Sequence, residues 1–282
     1  MYGLQQPRRG WAVDAGRKMR ATRVGGRARR RAVALGASED AARASGAGHR
    51  PARLVAVGDV MDKDLVDHVI DTAQRVVASG AISANGHGNV SLRVPGAAEM
   101  YFTAGPSLRG HPAAAVVRVG LDGTLLEGEL PPIQGAVVAM HTAMYADRPE
   151  VGCVLHTHSP YATAYAVARR PIGCWVEALA MFGLPDGVPV ARYGPRGSDQ
   201  AVAGIRAAVR PGVPAVLLAN HGVLVFHRSP DLAILVGGVV EEAAQAGINA
   251  AALGGPAEIE EDLRAAALQR SMTFASRGTI RA

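Results

Sequence analysis

The stretch Val151–Pro160 constrains the chain more than any other. It reads V-G-C-V-L-H-T-H-S-P, a largely apolar run leading into His156-Thr157-His158 and broken by Ser159-Pro160. Read as a strand, its period of two puts His156 and His158 on one face near the strand's end. Two imidazoles one pleat apart can grip one metal ion. A second segment has the same shape. Pro214–Ala219 is a buried-strand run that ends at Asn220-His221-Gly222, and Val223–Phe226 follows. His156, His158 and His221 would give three neutral ligands and leave a coordination position open, as in catalytic zinc sites.

The 282 residues suffice for one large domain or two small ones. Aromatics make up only 4%, so Ala, Val, Leu and Ile must build the core. The net charge of +6 is unevenly spread. Residues 1–60 hold thirteen basic and four acidic residues, a net +9, which leaves −3 for the rest. That first segment is rich in Arg, Gly and Ala without a sustained period, and is expected to be a disordered extension. A start at Met61 would fit the same composition. Its arginine clusters lack the interleaved aromatics of a single-stranded nucleic-acid platform, so no nucleic-acid partner is expected. Cys153 and Cys174 make no disulfide framework. No apolar run reaches the length of a membrane span, and no apolar segment follows the first arginines as in a secretory signal. The expected setting is the cytoplasm, with no membrane partner.

The folded domain is expected over 61–282. Asp62 can cap a helix whose apolar stripe is Leu65, Val66, Val69, Ile70, Ala73, Val76 and Val77. Short strands are expected at Val90–Arg93, Met100–Thr103 and Val116–Val119, with Asp122-Gly123 turning into Leu125-Leu126. Pro131-Pro132 opens a helix over 133–146, with Ile133, Val137, Met140 and Met144 on one face and His141 beside it. Further helices are expected at Tyr161–Ala168, Asp199–Val209 and Asp231–Ala252, and a strand at Pro189–Tyr193. Cys174–Phe182 reads as either helix or strand. Glu258–Arg264 reads as a solvated helix face. There is no internal repeat and no Rossmann-type glycine fingerprint.

Three segments together carry a family resemblance: G-H-G-N-V-S-L-R at 86–93, M-Y-A-D-R-P-E-V-G-C-V-L-H-T-H at 144–158, and N-H-G-V-L at 220–224. Over roughly residues 61–253 the chain resembles the class II aldolase/adducin family, which includes fuculose-phosphate aldolase and ribulose-phosphate 4-epimerase. The resemblance implies a single three-layer α/β/α domain around a largely antiparallel sheet, and a homotetramer. It also implies a divalent metal, zinc first and Mn²⁺, Co²⁺ or Fe²⁺ as alternatives, and a small-molecule substrate. A divalent ion on three imidazoles can chelate a hydroxy-carbonyl compound and stabilise an enediolate. Aldol cleavage and decarboxylation both pass through such a species, so a metal-dependent carbon–carbon lyase is expected. A nonhaem iron oxygenase and a non-catalytic adducin-like scaffold are the alternatives. Adducin relatives are expected to have lost metal ligands that this chain keeps.

Two departures from the family pattern shape the remaining expectations. The family binds phosphate through a Gly-Asn loop, a Thr-Gly turn and paired serines. Gly88 and Asn89 match the first. The second reads Thr103-Ala104-Gly105, and the third reads Leu130-Pro131-Pro132-Ile133, without a serine. The expected substrate-binding residues are therefore Gly88, Asn89, Gly105 and Ser107, with Arg93 and Arg109 as further anion donors and sugar phosphates disfavoured. The second departure is the catalytic carboxylate. The aldolases carry a Glu four residues before the histidine that matches His141. Here that position is Val137, or Gln134 when counted from the Leu-Pro pair, and neither exchanges a proton at neutral pH. Glu177, alone in an apolar segment, and His141 are the expected catalytic residues, with Tyr161 behind them.

Overall fold

In a computed structural model, residues 61–277 are described. The expected extension over residues 1–60 lies outside them. The helices are α1 (Lys63–Ala78), α2 (Pro132–Asp147), α3 (Pro160–Ala168), α4 (Glu177–Met181), α5 (Asp199–Ala208), α6 (Pro230–Ala250) and α7 (Glu261–Arg277). The strands are β1 (Gly88–Arg93), β2 (Glu99–Thr103), β3 (Val116–Gly120), β4 (Leu125–Glu127), β5 (Cys153–Thr157), β6 (Val190–Ala191), β7 (Ala215–Leu218) and β8 (Gly222–His227). They form one sheet in the order β4-β3-β2-β1-β5-β8-β7-β6. Every pairing is antiparallel except β6 with β7.

Alternation along the strands sends side chains into two apolar layers. Leu92, Tyr101, Cys153, Leu155, Leu217 and Val225 pack with α1, α3 and α6 on one face. Met100, Phe102, Val154, Val216, Leu224 and Phe226 pack with α2 and α5 on the other. This is the expected three-layer architecture. The sheet's central strands β1, β5 and β8 are buried along nearly their whole length, because helices cover both faces.

Local signals account for the helix ends. The Asp62 carboxylate accepts from Asp64 N at 2.9 Å, which starts α1. Proline stands in the first turn of α2, α3 and α6, where its missing N–H costs nothing. The ambiguous 174–182 stretch becomes helix only over its second half, as α4. The charged run at 258–264 leads into α7.

Candidate metal centre

His156 and His221 belong to the middle of the sheet. His156 lies on β5, opposite Asn89 of β1 and Leu224 of β8. His221 sits in the tight β7–β8 turn, where Asn220 takes a left-handed conformation (φ 58°) that asparagine tolerates. His158 lies just past the end of β5. Strand period alone therefore does not set its direction; the turn into α3 does.

That turn is fixed from several sides. The Ser159 hydroxyl donates to the Ala81 carbonyl at 2.6 Å and meets the Thr157 hydroxyl at 2.7 Å. Ser159 supplies no side-chain cap to α3. The buried Glu241 carboxylate of α6 does so instead, accepting from Tyr161 N at 2.9 Å and Ala162 N at 2.8 Å. Burial raises the Glu241 pKa, and these two amide bonds oppose the shift.

Two glycines let the neighbouring strands close on the histidine strand. A Cβ at Gly88 would overlap the His156 carbonyl oxygen. A Cβ at Gly222 would stand 2.5 Å from the Thr157 carbonyl oxygen and 3.2 Å from the His158 ring.

The three imidazoles converge. Their ligand nitrogens all lie within 4.8 Å of one another. The ring centroids are 4.6 Å apart for His156 and His221, and 5.0 Å apart for each of the other two pairs. His156 Nδ1 donates to the Val223 carbonyl at 2.9 Å, which fixes its tautomer and leaves Nε2 unprotonated. His158 Nε2 lies 3.1 Å from that atom. His221 Nε2 is buried with no hydrogen-bond partner. Burial is the main cause that lowers the pKa of all three, His221 to about 4. Neutral, converging imidazoles with an orphaned nitrogen fit a divalent metal.

The other expected site residues have different fates. Asn89 is buried and its Oδ1 accepts from His141 Nε2 at 2.6 Å. His141 is fully buried, and its Nδ1 accepts from the Ser91 hydroxyl at 2.8 Å. Both ring nitrogens are thus engaged, and burial drives the His141 pKa down to about 3. The geometry places His141 in the packing between α2 and the sheet. Gly105 makes room for the His111 ring, and Ser107 donates to the Asn85 carbonyl at 2.8 Å. Arg93 is spent on the carbonyls of Val151 and Tyr145, and Arg109 on that of Ala84.

Glu177 is exposed at the first residue of α4, a helix packed with the α1–α3–α6 layer. The histidine cluster borders the opposite layer, where α2 and α5 lie. The structure therefore does not bring Glu177 to the histidines, and its side chain stands exposed. A lone carboxylate in an apolar segment can still point outwards when it opens a helix. Tyr161 is also exposed, with its hydroxyl 3.3 Å from the Gln245 amide.

Sequence reasoning passed over two neighbours of the cluster. His87, inside the G-H-G-N segment, stacks edge-on to His158 with centroids 5.7 Å apart. Arg196 lines a cavity that His221 also borders. The G-H-G-N pattern could have flagged His87; nothing in the local sequence around Arg196 places it.

Comparison with known proteins identifies the frame. The profile of the Class II Aldolase and Adducin N-terminal domain matches residues 67–248. The chain belongs to the class II aldolase/adducin family. Among its curated relatives is the 5-methylthioribulose-1-phosphate/5-deoxyribulose-1-phosphate aldolase of Rhodospirillum rubrum, 36% identical over 105 residues. That match spans 37% of this chain and only 47% of the relative. The 5-deoxy-D-ribulose 1-phosphate aldolase of Bacillus thuringiensis is 29% identical over 70% of this chain and 90% of its own. Among solved structures, an L-fuculose 1-phosphate aldolase superposes with a TM-score of 0.65 at 24% identity, over 76% of this chain and 98% of the other, a likeness of fold. The two curated relatives named here are sugar-phosphate aldolases, enzymes that cleave carbon–carbon bonds. Those names lend no support to the expectation that sugar phosphates are disfavoured.

Proposed function

We propose that this family member is a divalent-metal-dependent carbon–carbon lyase of the aldolase type, acting on a small hydroxy-carbonyl substrate. The observation that carries this reading is the cluster of His156, His158 and His221, with His221 Nε2 buried and unpartnered. When bound, the ion, zinc by the character of the ligands, would act as a Lewis acid on the substrate's oxygens. The protein's part is to hold the rings. Val223 keeps the proton of His156 on Nδ1, and Gly88 and Gly222 let β1 and β8 approach. His141 and Asn89 are occupied with each other, so they stiffen the site floor and exchange no proton. In this reading proton exchange falls to His87, an exposed imidazole at the cluster's edge. Assembly as a homotetramer and a cytoplasmic setting complete the reading. They rest on the family resemblance and on the finding that no helix among the described residues is long and apolar enough to cross a membrane.

The test is aldehyde release from a panel containing L-fuculose 1-phosphate, 5-deoxyribulose 1-phosphate and their unphosphorylated forms. Cleavage should require added zinc and vanish in His221→Ala. Failure of zinc-loaded protein to release a carbonyl product from any of them would count against the aldolase reading.

A further inference from the structure

On the β1–β2 side of the histidine cluster, two hydroxyls that could receive an anion are used within the fold. The Thr103 hydroxyl is paired with the Val90 backbone, accepting from its N at 2.9 Å and donating to its carbonyl at 3.4 Å, and the Ser107 hydroxyl donates to the Asn85 carbonyl at 2.8 Å. Ala104 and the Pro132-Ile133 pair bring no hydroxyl.

The α5 side differs. The segment joining β6 to α5 lines a cavity shared with Val137 and Met140 of α2, and His221 forms part of its wall. Arg192 and Arg196 also line it, and no Asp or Glu does. Arg118, Arg148 and Arg206 are tied to carboxylates elsewhere on the surface. Among the described residues, Arg192 and Arg196 have no such partner.

The turn that carries Arg196 is fixed. Gly197 has φ +75° and lies against α2, where a Cβ would stand 3.0 Å from Ala136. The Ser198 hydroxyl donates to the Pro195 carbonyl at 2.7 Å and also caps α5. Arg196 and His221 line the same cavity. Three neutral imidazoles contribute no charge, so two guanidiniums without a carboxylate leave this side of the site positive. A guanidinium fork matches the paired oxygens of a carboxylate or phosphate group.

We propose that Arg196, with Arg192 lining the same cavity, is the specificity-determining residue of the site, holding an oxyanion group of the substrate on the α5 side of the histidine cluster. The proposal rests on the metal-centre reading. It places the chelating oxygens of the substrate toward the histidines and its carboxylate or phosphate toward α5.

Isothermal titration of zinc-loaded full-length protein tests it with two probe pairs. Dihydroxyacetone and dihydroxyacetone phosphate differ by a phosphate; glycolate and tartronate differ by a carboxylate. At least one pair should show the more highly charged member binding about tenfold tighter or better. Arg196→Met should abolish that preference and change Kd for the less charged member by less than about twofold, with Arg196→Lys restoring part of it. The pair that responds identifies the oxyanion as phosphate or carboxylate. Equal affinities within both pairs, or a preference that survives in Arg196→Met, would overturn the proposal. Zinc content is measured first: a wild-type protein that takes up no zinc defeats the metal-centre reading, and the proposal with it.

Discussion

The Nε2 atoms of His156 and His158 lie 3.1 Å apart. Two nitrogens bound at 2.0–2.1 Å to one tetrahedral zinc are separated by roughly 3.3 Å, so the pair already stands at the spacing of two ligands on one ion. The Val223 carbonyl holds the His156 proton on the far nitrogen, and the β7–β8 turn adds the third ring. The site is therefore built from three adjacent strands, and its precision depends on how closely they approach.

Gly222→Ala tests that approach. The added methyl meets the Thr157 carbonyl oxygen, a backbone atom that cannot rotate away. Overpacking of this kind costs about 1–3 kcal/mol. A lowered Tm and a reduced zinc content are expected together. Unchanged values of both would show that the glycine is incidental.

His141 predicts a pH dependence. Its folded pKa is about 3, against an ordinary value of 6.5. The buried ring is neutral and the unfolded ring charges first, so the contribution is complete above pH 6.5 and is lost as pH falls from there toward 3. In urea unfolding of metal-free protein, wild type should lose stability across that window more steeply than His141→Gln. The variant should also be weaker at pH 7 by about 1–3 kcal/mol, because the Ser91–His141–Asn89 chain is broken. Parallel pH profiles would contradict the assignment.

Much of the fold could be read in advance because its signals are local. Asp62 before an amphipathic stripe, the proline at the start of α2 and the Asp122-Gly123 turn each specify an element without help from elsewhere. The convergence of the three histidines was legible for a similar reason, since each histidine ends or follows an apolar strand. The surroundings of the triad were less so. That His141 would be spent on Ser91 and Asn89 depends on how α2 crosses β1, and that Glu177 would face solvent depends on how α4 sits on α6 and α7. Arg196 shares a cavity wall with His221 on a turn that Gly197 lets lie on Ala136. Such relations between distant segments leave no pattern within a window of sequence.

Glu177 separates the two kinds of reading. Its position alone in an apolar segment argued for catalysis; its exposure at the start of α4 argues against it. Glu177→Gln should leave zinc content unchanged and turnover within about twofold, whereas loss of a positioned acid or base costs on the order of a hundredfold or more. A collapse of kcat would restore the carboxylate to the mechanism.

The central claim is that His156, His158 and His221 hold one divalent ion. Zinc per chain should be measured by elemental analysis in wild type and in His156→Ala, His158→Ala and His221→Ala, each purified without added metal and then reloaded. About one equivalent in wild type and a sharp fall in every variant, with circular dichroism retained, is the expected result. Full stoichiometry in all three variants would contradict it.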